Sequence, residues 1–596
     1  MCDELHGYRD ECADSASLSV TMATTVSEPE SRKTSAATGK AVRWFIRLAT
    51  PLAIFGHIHR YAYLDPRHAA QMMVGGDWTT YVVSPNFLDG SHLLPVGSLP
   101  GYLAPVGASL AKTDSIPAVV LLYRLVGSIF SGQPVQLIGT FLLSAVVLSF
   151  VAVCRFLDLI EAPRGLAREV VTLCVASTLV MAPFWNLQYV HPALMQQWIL
   201  ILAVTSALRR CPSFIGGRFR QTSNRLAGVA PVVAAAACQP YLLPMTMVVS
   251  FAPDLARLFR APAATALKIG GTAIGALGLA SVLGYLGGGG KLGSTGFGAY
   301  AANLVSLFDA DRQSRIFSDI PTAPDAIGGY SYVGLGGLVI VALAVTWSFA
   351  QFRSRSMNRV GVDARSDRRD DIWPQRVFTL GVCFLLTYAV IPDLWIGKRR
   401  VLSLDALFGL IAPITAIFRV NGRFTWIPLW TMLLLGGARL VLIRSRSLAM
   451  VVAITILGVQ MYDVVPWAPL SRPTASIEYP AARAVLQQEA EAGALSVQFQ
   501  PPVVIPGCFA PDFGDFPALG DAMLAASQVR LPVNSGYVAR LTPAYEDVIC
   551  NRQAAEFRSG RYLANVVYVI PVSAETPTGL RCRKLTTQLQ ACRVIS

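Results

Sequence analysis

The stretch VQLIGTFLLSAVVLSFVAVC (residues 135–154), closed by Arg155, decides the fold class. It carries no charge over a length that lets an α-helix cross the ~30 Å hydrocarbon core of a bilayer, which takes about 20 residues. Similar apolar segments recur at approximately 44–63, 169–186, 193–208, 226–238, 241–258, 264–286, 334–352, 377–396, 424–443 and 447–464. The expectation is a mainly α, polytopic helical membrane protein with about ten or eleven transmembrane helices. Two of the segments are short for a span. The pair flanking Gln239-Pro240 reads either as one broken helix or as two tilted ones, and a break at membrane depth is tolerated only against protein or a water-filled cavity.

Composition agrees. Of 596 residues, 53% are hydrophobic and 14% charged, and the mean hydropathy is +0.48, so lipid is the main solvent. The net charge of +14 sits in Arg clusters between apolar runs: Arg155, Arg164 and Arg168, then Arg209, Arg210, Arg218, Arg220 and Arg225, then Arg257 and Arg260, then Arg353 to Arg376, then Arg439, Arg444 and Arg446. These fall in alternate loops when the N-terminus starts inside, so the basic balance is a topology signal and implies no nucleic-acid partner. An odd number of spans then puts residues 465–596 outside. The expected location is a bacterial inner membrane, multi-pass, with a cytoplasmic N-terminus.

The first forty residues, rich in Ser, Thr and Ala, read as a disordered cytoplasmic tail. No cleavable signal peptide is visible, so the segment starting near Trp44 is a retained anchor. Residues 41–464 form the membrane domain, with outer loops at 64–134, 287–333 and 397–423. Residues 465–596 read as a small extracytoplasmic α/β domain, with a polar helix-like EYPAARAVLQQEAEAG followed by apolar PPVVIPG and NVVYVIPV. Its four cysteines, Cys508, Cys550, Cys582 and Cys592, are even in number and suit two disulfides in an oxidising compartment, with connectivity open.

The most suggestive acid is Asp77 in VGGDWTTYV (74–82). The glycines before it allow a tight turn and close ligand approach. An Asp just outside a span can act as a general base or hold a divalent cation, and the competing reading is a helix N-cap. Asp65 in YLDP and Asp114 in KTDSIP read first as caps, Asp114 opening an interfacial helix over IPAVVLLYRLVGSIF. His191 in QYVHPAL lies at the outer mouth of a helix pair, where it can contact substrate or serve as a hydrogen-bonded structural residue. Arg419 and Arg423 in IFRVNGRF are basic residues on the outer side, against the usual bias. A guanidinium there suits a lipid phosphate or pyrophosphate, or snorkels to the headgroups. Lys398, Arg399 and Arg400 are more exposed and can contact anionic headgroups. Asp77 is thus the catalytic candidate, with Arg419, Arg423, Asp114 and His191 as substrate-binding candidates and the metal left open. There is no Walker loop, dinucleotide fingerprint, HExxH or nucleophile elbow, and Gly287 to Gly290 reads as a hinge.

Six stretches in order, LDPRHAAQMMVGGDWTTYV, YLAPVGASLAKTDSIPAVVLLYRL, FGAYAANLVSLFDADRQS, GGYSYVGLGGL, FRVNGRFTW and PVNSGYVARL, resemble a bacterial family of polytopic membrane proteins of unknown function, related in layout to GT-C glycosyltransferases. The resemblance implies a GT-C-like bundle, an acidic catalytic residue in the first outer loop, and a soluble extracytoplasmic tail. Carried onto this chain, that acid is Asp77. Where the family often has an acid before its tyrosine-leucine-glycine stretch, this chain has Gly328-Gly329 and Tyr330. The implied activity is inverting transfer of a sugar from a polyprenyl-phosphate donor to an envelope glycan, lipid or protein acceptor. In it, Asp77 would accept the acceptor's proton and Arg419 or Arg423 would hold the leaving phosphate. The expected partners are the lipid bilayer and the lipid-linked sugar donor. A transporter or flippase of lipid-linked sugars, or a non-catalytic scaffold in polysaccharide assembly, are the competing classes.

Overall fold

The computed structural model describes residues 30–73, 76–88, 96–113, 115–125, 134–186, 191–215, 218–219, 227–258, 260–286, 297–298, 300–322, 331–357, 368–411, 415, 417–465, 478–505, 507–508, 516–538 and 542–595. The helices, in order, are α1 (Glu30–Ile58), α2 (Gly76–Val83), α3 (Pro117–Leu125), α4 (Ile138–Asp158), α5 (Leu166–Val180), α6 (Pro183–Asn186), α7 (Trp198–Arg210), α8 (Val229–Cys238), α9 (Leu242–Leu255), α10 (Pro262–Val282), α11 (Leu335–Met357), α12 (Arg368–Val390), α13 (Asp405–Phe408), α14 (Trp426–Leu442) and α15 (Arg446–Asp463). The C-terminal region adds α16 (Tyr479–Glu491), α17 (Phe516–Gln528) and α18 (Ala554–Arg558).

Each apolar segment read as a span is helical over most of its described length, although 377–396 leaves the helix at Val390 and ends in a strand at Asp393–Ile396. Among the described residues four helical stretches are long and apolar enough to cross a membrane: Ile138–Asp158, Pro262–Val282, Asn421–Leu442 and Arg446–Asp463. Three shorter apolar helices accompany them, Val229–Cys238, Leu242–Leu255 and Leu335–Gln351. That is fewer than the ten or eleven expected by hydropathy, because several segments stop short in length or carry charges at their ends. α1 begins at Glu30, upstream of the expected start of the membrane domain. The pair around Gln239-Pro240 is two helices, not one. Gly228, just before α8, abuts the Ser250 carbonyl near the far end of α9, so the two form an antiparallel hairpin.

Glycines let the helices approach closely. A methyl at Gly436 on α14 would run into the Ile340 carbonyl of α11, and one at Gly437 would meet Val175 of α5 at 2.8 Å. One at Gly336 on α11 would meet the Ile456 carbonyl of α15 at 2.6 Å. Close backbone approach through small residues is how helices associate where water supplies no hydrophobic drive between them.

The loops sort to two ends. At one end the Phe184 amide donates to the Tyr332 carbonyl (2.8 Å), Ser331 to the Thr425 hydroxyl (3.2 Å), the Gly422 amide to the Tyr300 carbonyl (2.9 Å) and the Ala302 amide to the Ala389 carbonyl (2.8 Å). Asp463, fully buried, accepts from Ser314, Tyr332 and the Leu335 amide at the same end. At the other end the Glu161 amide donates to the Arg218 carbonyl (2.8 Å), and Asp254 pairs with Arg210 (2.7 Å) and Lys268 (2.8 Å). There too Arg439 lies over the Trp347 ring, 2.9 Å from its centroid. The helices joined by these contacts therefore run back and forth between the two ends, and Arg210, Arg218 and Arg439 lie at the second.

The C-terminal region carries a four-stranded mixed sheet in the order β5-β8-β10-β9, from β5 (Ser496–Phe499), β8 (Val566–Pro571), β9 (Leu580–Lys584) and β10 (Leu589–Val594). β5 pairs parallel to β8, and the other two contacts are antiparallel. β8 is buried along its whole length, as its apolar VVYVIP predicts. Short pairs complete the set: β1 (Ser98–Leu99) with β2 (Ala108–Ser109), β3 (Asp393–Ile396) with β4 (Arg399–Ser403), and β6 (Val504–Ile505) with β7 (Gly536–Tyr537). Two disulfides close the domain, Cys508–Cys550 and Cys582–Cys592.

Candidate functional site

The end opposite the basic clusters is built from the first loop and the C-terminal domain together. The Val533 amide donates to the Gly101 carbonyl (2.8 Å) and the Ala104 amide to the Val533 carbonyl (2.7 Å). Tyr102, fully buried, accepts from the Tyr537 amide (2.9 Å), and Tyr545 donates to the Gly107 carbonyl (2.8 Å). Gly520 on α17 leaves room for Thr79 of α2, which a methyl there would meet at 2.8 Å. α2 is thus held between the bundle and the C-terminal domain, with Trp78 edge-on to Tyr63 (5.7 Å between centroids).

Asp77 occupies the first turn of α2, where an acid is favourable to the helix dipole. Its side chain lies outside the described residues, as do all of Asp114, the Gly287 to Gly290 run and Gly328 to Tyr330. The neighbours of Asp114 are placed: Thr113 donates to the Leu110 carbonyl (2.8 Å), and the Tyr285 hydroxyl lies 3.5 Å from the Ser115 carbonyl. Lys112 is half-buried and has no ion pair among the described residues, and desolvation holds its ammonium below the usual lysine value.

Tyr285 links this loop to the arginine segment. Its hydroxyl donates to the Cys238 carbonyl (2.9 Å) at the end of α8. Three residues on, beyond the Gln239-Pro240 break, Tyr241 donates to the Val420 carbonyl (2.6 Å). Arg423 lies over the Tyr241 ring, 5.4 Å from its centroid, and the ring meets Phe418 and Phe424 at 5.6 and 6.0 Å. Tyr388 packs edge-on to Phe424 at 4.8 Å. Asn421 is fully buried and donates to the Tyr388, Ala389 and Ile391 carbonyls, which fixes the turn between the two arginines. Arg419 is partly exposed, with no ion pair among the described residues. An aromatic cluster thus holds the Arg423 guanidinium two residues from the buried Asn421 that fixes this turn, and a guanidinium so held can bind a phosphate by direct hydrogen bonds.

The structure brings the segment beside Asp114 and the Arg419–Arg423 turn to one end of the bundle through Tyr285 and Tyr241. His191, partly exposed, opens a turn in which its carbonyl accepts from the Leu194 amide (2.8 Å), also at this end. Asp65 is held by Arg67 through bonds of 2.9, 3.0 and 3.1 Å, an Asx-type turn rather than a helix cap. Sequence reasoning missed Tyr241, Tyr285, Lys112 and His59. His59 is 2% exposed, and neither of its ring nitrogens has a hydrogen-bond partner among the described residues. The signal for Tyr241 was present in its position after a helix break, but nothing local announces that it meets Val420. Among the described residues no three His, Cys, Asp or Glu side chains gather to hold a metal ion, and Asp77 and Asp114 fall outside that statement.

These features define a mainly helical protein, with four helices among the described residues suited to crossing a membrane, joined to a small α/β domain. The chain belongs to the DUF6311 family. The family model described as Domain of unknown function (DUF6311) matches residues 48–465, and that of the DUF6311 C-terminal domain matches residues 488–594. No curated protein matches the chain at a significant level.

Proposed function

We propose that the chain is a membrane glycosyltransferase that takes a sugar from a polyprenyl-phosphate donor and passes it to an envelope acceptor on the extracytoplasmic side of a bacterial inner membrane. In this reading all eleven apolar segments cross the bilayer, shorter ones included, with the Arg-rich end inside and residues 465–596 outside. The observation that carries it is the convergence of the first loop and the FRVNGRF turn at the end opposite the Arg clusters, bridged by Tyr285 and Tyr241. Arg419 and Arg423, with the poorly solvated Lys112 on the first loop, supply positive charge for a leaving phosphate. Asp77, in the first turn of α2, is the general base on the acceptor hydroxyl in this reading, with Asp114 and His191 as substrate-contacting residues. A divalent cation between Asp77 and the phosphate would supply further charge neutralisation.

The test is product formation in cells expressing Asp77→Ala, with insertion and quantity of the variant verified. Loss of glycan or glycolipid product by at least about a hundredfold, the scale of a lost general base, is expected. Full product from a normally inserted variant rejects the transferase chemistry and leaves the flippase or scaffold class.

A further inference from the structure

We propose that the β3–β4 hairpin is a bilayer-surface anchor that binds anionic lipid headgroups. The proposal rests on the membrane reading above but not on the transferase chemistry. The hairpin follows α12 after Ile391-Pro392 and is pinned at its turn, where Gly397 has φ +58°, by Asn303. Asn303 donates to the Gly397 carbonyl (2.8 Å) and accepts from its amide (3.0 Å), and the Leu304 amide donates to the Trp395 carbonyl (3.0 Å).

What the protein leaves bare here is unusual. Every residue of β4 is exposed, including Val401 and Leu402, and so are Ile396 at the end of β3 and Leu304 and Phe308 on the segment it pairs with. A lone two-stranded hairpin is at best marginal in water, and a cluster of exposed large apolar side chains marks a surface that something covers. Charge says what that is. The turn presents Lys398, Arg399 and Arg400 in succession. Among the described residues Arg400 has an acidic neighbour, Asp393 at 3.7 Å, while Lys398 and Arg399 have no ion pair. Apolar side chains beside a cationic turn, after the apolar last turns of α12, match the chemistry of an anionic headgroup layer over acyl chains.

The full chain reconstituted into lipid nanodiscs provides the test, read by amide hydrogen exchange of residues 393–403. Each basic side chain near an anionic surface is worth about a fivefold change in affinity. Exchange of the hairpin is therefore expected to slow about tenfold or more when phosphatidylglycerol replaces part of a phosphatidylcholine disc. In the variant Lys398→Gln, Arg399→Gln, Arg400→Gln it returns to the neutral-disc rate, while peptides from α14 keep their wild-type protection and show that the variant is folded. Equal exchange in both discs, or protection that survives the triple substitution, overturns the proposal. So does protection that appears in detergent and rises with protein concentration, which would make a second protein the partner. A chain that does not enter the discs at all overturns the membrane reading as well. One that enters with a bare hairpin overturns this proposal alone.

Discussion

At the scale of single residues, the charged groups divide by what neutralises them. Asp254 is almost fully buried between Arg210 and Lys268, where the pair of cations offsets the desolvation of the carboxylate. Asp65 sits near the surface, and the Arg67 side chain bonded to it holds its carboxyl down to about 2, with the Arg67 amide adding to the effect. A carboxyl depressed in the folded chain contributes stability that is present above its ordinary value of 3.8 and is lost as pH falls through about 2. The melting temperatures of wild type and Asp65→Asn are therefore expected to differ at pH 6 and to converge as pH approaches about 2. A difference that stays constant across that window would show that the pair does not hold the turn. Asp77 and Asp114 were legible as candidates because Gly-Gly and Ser-Ile-Pro flank them. Lys112 and His59 were not, because nothing in KTD or HIHRY announces that the fold desolvates them.

At the scale of elements, hydropathy located every helix of the bundle to within a turn or two at most ends, since an apolar run in lipid has no alternative but to close its own hydrogen bonds. Of the segments it marked, four helical stretches among the described residues are long and apolar enough to span by length and composition. What it could not see was the packing between helices. Gly436 reads as an indifferent residue in WTMLLLGGARL, yet the Ile340 carbonyl occupies the place its side chain would take. Gly436→Val is expected to destabilise the bundle by about 1–3 kcal/mol, the scale of overpacking in a close-packed interior. Gly270→Val on α10 serves as the comparison, because nothing lies within 4 Å of a methyl placed there. Denaturant unfolding of the two variants in one detergent measures the difference, and equal stabilities would mean that α11 and α14 are not held as close as described.

At the scale of the whole molecule, the α/β domain is stapled to itself and seated on the first loop. The Cys508–Cys550 bridge closes 42 residues of chain, which by loop-closure entropy stabilises the domain by about 4 kcal/mol. Cys508→Ser with Cys550→Ser is expected to lower the unfolding temperature of this domain, and to release the first loop it covers, seen as faster exchange around Tyr102. Unchanged exchange there would show that the loop holds its shape without the domain.

The sequence by itself determined that the chain is mainly apolar helix, roughly where the helices lie, that it changes character near residue 465, and that the last four cysteines suit two bridges. Those properties follow from composition and periodicity, which act locally. Which cysteines pair, that α8 and α9 form a hairpin, and that Tyr285 and Tyr241 tie the first loop to the arginine turn were decided only by tertiary structure. Each depends on backbone carbonyls from segments far apart in the chain arriving within hydrogen-bond reach, and no local pattern encodes that arrival.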